Sequence, residues 1–350
     1  MPSAFAEMEA LGHQWVGEEH VLLASLSETG DLRARLAELG LTYQRARDAA
    51  APRVPRATGD DWRSSNPSYH TAKGRAEGLA LALGAPRPRA VHNFVAALWE
   101  RNGPASALLA ALDVDRDGAI AATELRLSHP TNPLHAAGER QAAALGDGYV
   151  GDWHVLLAFL AGQPDPLAGK ALEACGLTHA DCAAWLASRD FFPPARPNPH
   201  APSGALRPNP RCRQLFGRAE GLAAVEGATS ARSEHGLVAY LWEPDASDVL
   251  LIEAWGTTEP AVAHALADLG ARLPSTPRPE RDRTPWGEPV SVPYERLMEA
   301  VDRLHAANLP VGSWGFNHYE GRAWVSGHAH LDLRAILGPL ALPSNGPSLS

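Results

Sequence analysis

The sequence predicts an all-α protein: two tandem helical modules, each made of two repeats, then a small α+β C-terminal segment. Three observations carry this. The string GRAEGLA occurs at Gly74–Ala80 and again at Gly217–Ala223, 143 positions later. The same offset relates Asn66-Pro67 to Asn209-Pro210, Gly84 to Gly227, His92 to His235, and FVAALWE at Phe94–Glu100 to LVAYLWE at Leu237–Glu243. Finally, a glycine followed eight positions later by a histidine and an apolar run occurs four times: Gly12 and His20, Gly84 and His92, Gly146 and His154, Gly227 and His235. One offset held over such a length marks an internal duplication, in which single repeats cannot bury their apolar faces alone.

The first and third repeats resemble each other, as do the second and fourth, so the order is A-B-A′-B′. The first module spans 1–128, with repeats at 1–50 and 66–128. The second spans 129–275, with repeats at 134–188 and 206–275, and residues 276–350 hold a linker and the C-terminal segment. Ala51–Ser68 and the proline-rich Phe192–Pro210 join repeats, and Arg126–Pro133 joins the modules.

Within the first repeat, Ala4–Leu11 reads as a short helix and His13–Gly17 as a turn. Glu18 and Glu19 open a second helix, where acidic groups favour the positive helix end. Leu22, Leu23 and Leu26 fall on one face of it. Asp31 is expected to cap a third helix with Leu32, Leu36 and Leu39 facing inward, and Gly40 to end it. Tyr43–Ala50 forms a fourth helix.

Composition narrows the function. The net charge of -9 argues against a general nucleic-acid binder, which needs clustered Lys and Arg. No apolar run reaches the roughly 18–20 residues that span a bilayer, and MPSAFAEMEALGHQW has neither a basic start nor a signal-like apolar block. The expectation is a soluble, cytoplasmic protein. Cys175, Cys182 and Cys212 form a sparse, odd set, which suits reduced thiols rather than a disulfide frame or zinc site.

LGHQWVGEEHVLLASL followed by LRARLAELGLTYQRAR resembles the Clp N-terminal repeat, found in pairs at the front of the ClpA and ClpC unfoldases. The family's Gly-Thr-Glu-His-Leu-Leu-Leu stands here as Gly17-Glu18-Glu19-His20-Val21-Leu22-Leu23, and LGDGYVGDWHVLLAFL repeats it. The resemblance covers about Met1–Leu273 and implies, per module, a pseudo-two-fold bundle of eight short helices. No Gly-x4-Gly-Lys-Ser/Thr occurs, so the phosphate-cradling loop of the unfoldase motor is absent from this sequence.

The resemblance also implies a ligand. In ClpC-like domains the Glu of that motif holds the guanidinium of a phosphorylated arginine, a planar fork of donors suited to a carboxylate. By position this is Glu19 in the first repeat and Glu234 in the fourth; Val91 and Trp153 stand at the other two places. The neighbouring family Thr is Glu18, Ala90, Asp152 and Ser233, and Glu18 or Asp152 would repel a phosphate. A plain helix-start role for Glu19 and Glu234 is the competing reading. The four histidines are expected to be structural, bonding across the turn or between repeats.

Two further patterns invite a metal. Asp113, Asp115, Asp117, Gly118 and Glu124 match the spacing of an EF-hand calcium loop, although a capped turn between repeat helices accounts for the same residues. In the C-terminal segment, Tyr294–Ala307 reads as an amphipathic helix, and 311–316 with 322–325 as a β-hairpin around Glu320-Gly321. His318, His328 and His330 lie near that hairpin, whose aromatic strands equally suit a core.

These readings together imply a non-enzymatic binding protein with no required cofactor. Its expected ligands are peptides, arginine-tagged clients or the cyclic-peptide antibiotics that target Clp N domains, which it would sequester as a decoy. The alternative is an adaptor that docks on the Clp unfoldase or protease. A nucleophile paired with a base, which catalysis would need, is not evident.

Overall fold

The computed structural model describes residues 3–28, 30–54, 64–147, 149–187, 206–242, 252, 255–277, 290–293, 296, 299, 300, 303, 313–317, 322–326 and 333–341. The first repeat holds α1 (Ala4–Leu11), α2 (Glu18–Ser27), α3 (Asp31–Glu38) and α4 (Tyr43–Ala50). The second holds α5 (Pro67–Ala82), α6 (Ala90–Ala97), α7 (Pro104–Ala111) and α8 (Arg116–Ala121). The third holds α9 (Leu134–Leu145), α10 (Asp152–Leu160), α11 (Leu167–Ala174) and α12 (His179–Ala187). The fourth holds α13 (Pro210–Val225), α14 (Ser233–Leu241) and α15 (Glu259–Asp268).

Backbone geometry repeats with the sequence. The first helix of each repeat is followed by a left-handed glycine: Gly12, Gly84, Gly146 and Gly227. The third is followed by Gly40, Asp113, Gly176 and Gly270, also left-handed. This conformation closes the last helical turn and suits glycine because it has no Cβ.

Repeats dock in pairs. A parallel bridge joins β1 (Trp15–Val16) to β2 (Ser64–Ser65), and another joins β3 (Tyr149–Val150) to β4 (Arg207–Pro208). α2 packs on α6, while α11 packs on α14 and α15. Each pair builds a core: Leu22, Leu26, Phe94 and Leu108 in one, Leu156, Phe159, Leu172 and Leu237 in the other. α2 and α10 lie at the centre of these cores. Glu18–Leu26 and Asp152–Leu160 are buried on all faces rather than on one stripe.

The cores borrow from each other. Leu81 of α5 packs in the core of the second pair, and Ala224 of α13 in that of the first. The two helices cross where the GRAEGLA strings meet. A Cβ on Gly74 would lie 2.1 Å from the Gln214 carbonyl oxygen, and one on Gly217 would lie 2.3 Å from that of Thr71. Gly78 and Gly221 meet Arg218 and Arg75 backbone in the same way. Glycine spaced four apart lets two helix backbones approach more closely than any side chain would permit. Residues Met1–Pro279 accordingly form one compact unit.

Two local expectations are corrected. Asp31 is the first residue of α3, and the cap is Gly30. Leu39 is 44% exposed because it sits at the helix end beyond the reach of the core, whereas Leu36 is buried.

Glu280–Ser350 form a second unit. Here β5 (Val290–Pro293), β6 (Ser313–Asn317) and β7 (Arg322–Ser326) make an antiparallel sheet in the order β5-β7-β6. Trp314 pairs with Val325 and Phe316 with Ala323 across the hairpin. α16 (Leu333–Leu337) follows. Most of the helix expected over Tyr294–Ala307, together with His318, His328 and His330, lies outside the described residues.

Candidate binding site

The four repeated histidines are helix-capping groups. Each is the third residue of its helix, and its Nδ1 accepts a hydrogen bond from the backbone N–H of the cap residue. The distances are 3.0 Å for Gly17 to His20, 3.0 Å for Arg89 to His92, 3.0 Å for Gly151 to His154 and 2.9 Å for Arg232 to His235. This is the reciprocal half of a capping box, with imidazole in place of the usual Glu or Gln. An accepting Nδ1 assigns the proton to Nε2. In His235 that nitrogen donates to Glu226, which lies at 3.0 Å, and in His154 to Asp147, at 2.7 Å. In His20 it donates to His13, at 2.8 Å, whose own Nε2 reaches the Ala51 carbonyl at 3.1 Å. Burial, followed by the Arg89 charge, lowers the pKa of His92; burial lowers that of His154 against the opposing pull of Asp147.

Glu19 and Glu234 are placed differently from the exposed carboxylates that a client arginine would meet. Glu19 is 3% exposed, folded back under Gly17, with one oxygen 3.2 Å from His20 Nδ1 and the other without a hydrogen-bond partner. Glu234 is 6% exposed and paired with Arg232 at 2.5 Å. They belong to separate repeat pairs.

The calcium-loop pattern is not a calcium loop in three dimensions. Asp113 holds the left-handed position that glycine occupies in the other three repeats. Asp115 caps α8, accepting from Gly118 N–H at 2.8 Å, so the middle of the supposed loop is helix. Asp117 pairs with Arg101 and Arg116, and Glu124 with Arg35. Nothing draws these carboxylates together, and among the described residues no group of three or more His, Cys, Asp or Glu side chains could hold a metal ion.

A different site lies beside the helix seam. A cleft of ≈ 680 Å³ is lined by Glu18, Arg75, Trp99, Glu100, Gly103 and Glu220, among others. Arg75 stacks over the Trp99 ring at 5.3 Å and donates to Glu220 at 2.6 Å and Glu100 at 2.5 Å. Its Nη1 is buried without a partner. Glu18 is 1% exposed, and its Oε2 likewise has no partner. Gly103 makes room for that carboxylate: a Cβ there would lie 2.6 Å from the oxygen. Burial pushes the Glu18 pKa up to about 7; the nearby Arg75 charge opposes the shift, and Glu100 and Glu19 add to it. Two opposite, unsatisfied polar groups in one cleft are costly unless a ligand or water completes them.

The seam's pseudo-symmetry makes a counterpart. Arg218 and Glu77 pair as Arg75 and Glu220 do, and they line a second, ≈ 420 Å³ cleft with Trp242, Leu81 and Pro86. The sequence patterns for Glu19, Glu234 and the calcium loop missed both clefts. The available signal was GRAEGLA itself, whose Arg and Glu are the paired residues.

Comparison with known families bears on the second pair of repeats. The model of the Clp repeat (R) N-terminal domain matches residues 126–254. That segment is similar to a Clp N-terminal repeat domain. The match covers the third repeat and the fourth through α14, and the same caps and turns recur in the first and second. No curated protein matches the chain. Clp N-terminal domains bind partner proteins and substrates in Clp systems. Among the described residues no helix is long and apolar enough to cross a membrane.

Proposed function

We propose that this protein is a non-enzymatic binding protein of a Clp system, presenting Clp-type repeats to peptides and sequestering them as a decoy for the unfoldase's receptor domain. The observation that supports it is the Clp-type match at residues 126–254, whose left-handed turns and histidine caps recur in the first two repeats, in a sequence that contains no motor loop. The cleft between repeat pairs adds a concave, partly aromatic surface of a size that suits a short peptide. Tagged clients and cyclic-peptide antibiotics are the ligand classes that the family resemblance brings forward. Because Glu19 and Glu234 are nearly enclosed, neither suits a phosphorylated arginine side chain.

Copurification on the full-length chain tests the reading. A decoy retains peptides and leaves the Clp ATPase in the flow-through. Recovery of the ATPase in stoichiometric amount instead makes the protein an adaptor, and recovery of neither overturns the reading.

A further inference from the structure

We infer that the cleft at Glu18 and Arg75 is a receptor for the free amino terminus of a peptide, an inference that rests on the binding role proposed above. Two unpartnered atoms define the ligand. Glu18 Oε2 is an acceptor that lacks a donor, and Arg75 Nη1 is a donor that lacks an acceptor. A matching ligand therefore carries a donor and an acceptor close together. A peptide's first residue has both: the α-ammonium for Glu18, and the first carbonyl oxygen for Arg75.

Other ligand classes fit less well. An isolated phosphate or carboxylate would leave Glu18 unsatisfied and would face Glu18, Glu100 and Glu220 together. A guanidinium would leave Arg75 Nη1 unsatisfied and compete with Arg75 for the face of Trp99. An ammonium supplies the charged donor that Glu18 Oε2 lacks. Trp99, Pro104 and Pro130 offer apolar wall for the first side chain. Glu100, half exposed, lines the same cleft and pairs with Arg75.

The test uses the full chain and a tetrapeptide pool with a randomised first residue followed by three alanines, amidated at its end. The pool is titrated in free and N-acetylated forms. The free pool should bind, and acetylation should weaken it at least about tenfold, the loss expected of one charged hydrogen bond. Glu18→Gln should erase the difference between the two pools. Equal binding of both pools by the unmodified chain overturns the inference and leaves the peptide-binding role standing. Binding of neither pool overturns it too, with the role then judged by copurification. Isopropylammonium binding as tightly as the free pool would also overturn it, since it carries the ammonium without the carbonyl.

Discussion

Arg75 donates to Glu220 at 2.6 Å across the seam between α5 and α13, and its sequence equivalent Arg218 pairs with Glu77 in the reverse sense. The duplicated GRAEGLA strings are thus a self-complementary interface folded within one chain. Both arginines are nearly enclosed, Arg75 at 5% exposure. Removing one member of such a pair costs about 3–5 kcal/mol, because the other charge is left buried. Glu220→Leu and Arg75→Met should each destabilise strongly, and the double variant should lose less than their sum by about 1–3 kcal/mol. Urea unfolding of the four proteins measures this coupling; strict additivity would contradict the pairing.

The glycines of the seam make a prediction of opposite sign to helix propensity. Alanine is favoured over glycine in a helix by about 1 kcal/mol. At Gly217, however, the new methyl would meet a carbonyl oxygen at 2.3 Å. Overpacking of this kind costs about 1–3 kcal/mol, and more where backbone must move. Gly217→Ala and Gly74→Ala should therefore lower the Tm by several degrees in a thermal melt, whereas an unstrained helix glycine would show a rise.

Acid should unfold the protein through its histidines. His70 bonds to Ser65 and Gln214 while burial, then Lys73 and Arg213, lower its pKa to about 4. His92 and His154 are lowered as well. A lowered folded value means that the unfolded chain takes up protons first. Stability from these groups is then whole above about 6.5 and declines as pH falls below it, for His70 down through about 4. Glu226, lowered mainly by its bond to His235, adds a loss in the carboxylate range. Melting between pH 8 and 4 checks the sign, and His70→Gln should flatten the curve.

Glu18 works in the other direction. Its folded pKa is raised to about 7, so the folded chain binds a proton that the unfolded chain releases nearer 4.5. Its contribution is most favourable at low pH and falls away as pH rises through about 7. Glu18→Gln should consequently raise the Tm more at pH 8 than at pH 5. An equal change at both values would contradict a buried, uncompensated carboxylate.

Asp115 should matter as a cap and not as a ligand. Asp115→Ala removes the acceptor for Gly118 N–H and should cost about 1 kcal/mol. Millimolar calcium or its chelation should leave the melting curves of both proteins unchanged.

Some of this was legible in the residues and some was not. Gly12 with His20, and the three later pairs, announce a local device: a left-handed helix end, a turn and a capped helix start, all set by neighbours in sequence. Such short-range chemistry is visible in spacing. GRAEGLA was equally visible as a duplication, but a string cannot show that its two copies face each other. That depends on approach between residues 143 apart, as in Gly74 against Gln214. Asp113–Glu124 left two readings open for a related reason. The calcium spacing is satisfied while the backbone forms a cap and a helix, and the carboxylates turn to Arg35, Arg101 and Arg116. Glu18 read as a mere helix-start charge because its enclosure comes from Gly103 and Arg75 of the next repeat.

Hydrogen exchange on the full-length chain, with and without a saturating free tetrapeptide pool, puts the question most directly. A single receptor unit with its ligand cleft at the seam predicts added protection concentrated at residues 99–103 and at His129. Protection confined to other segments, or none at all, would contradict it.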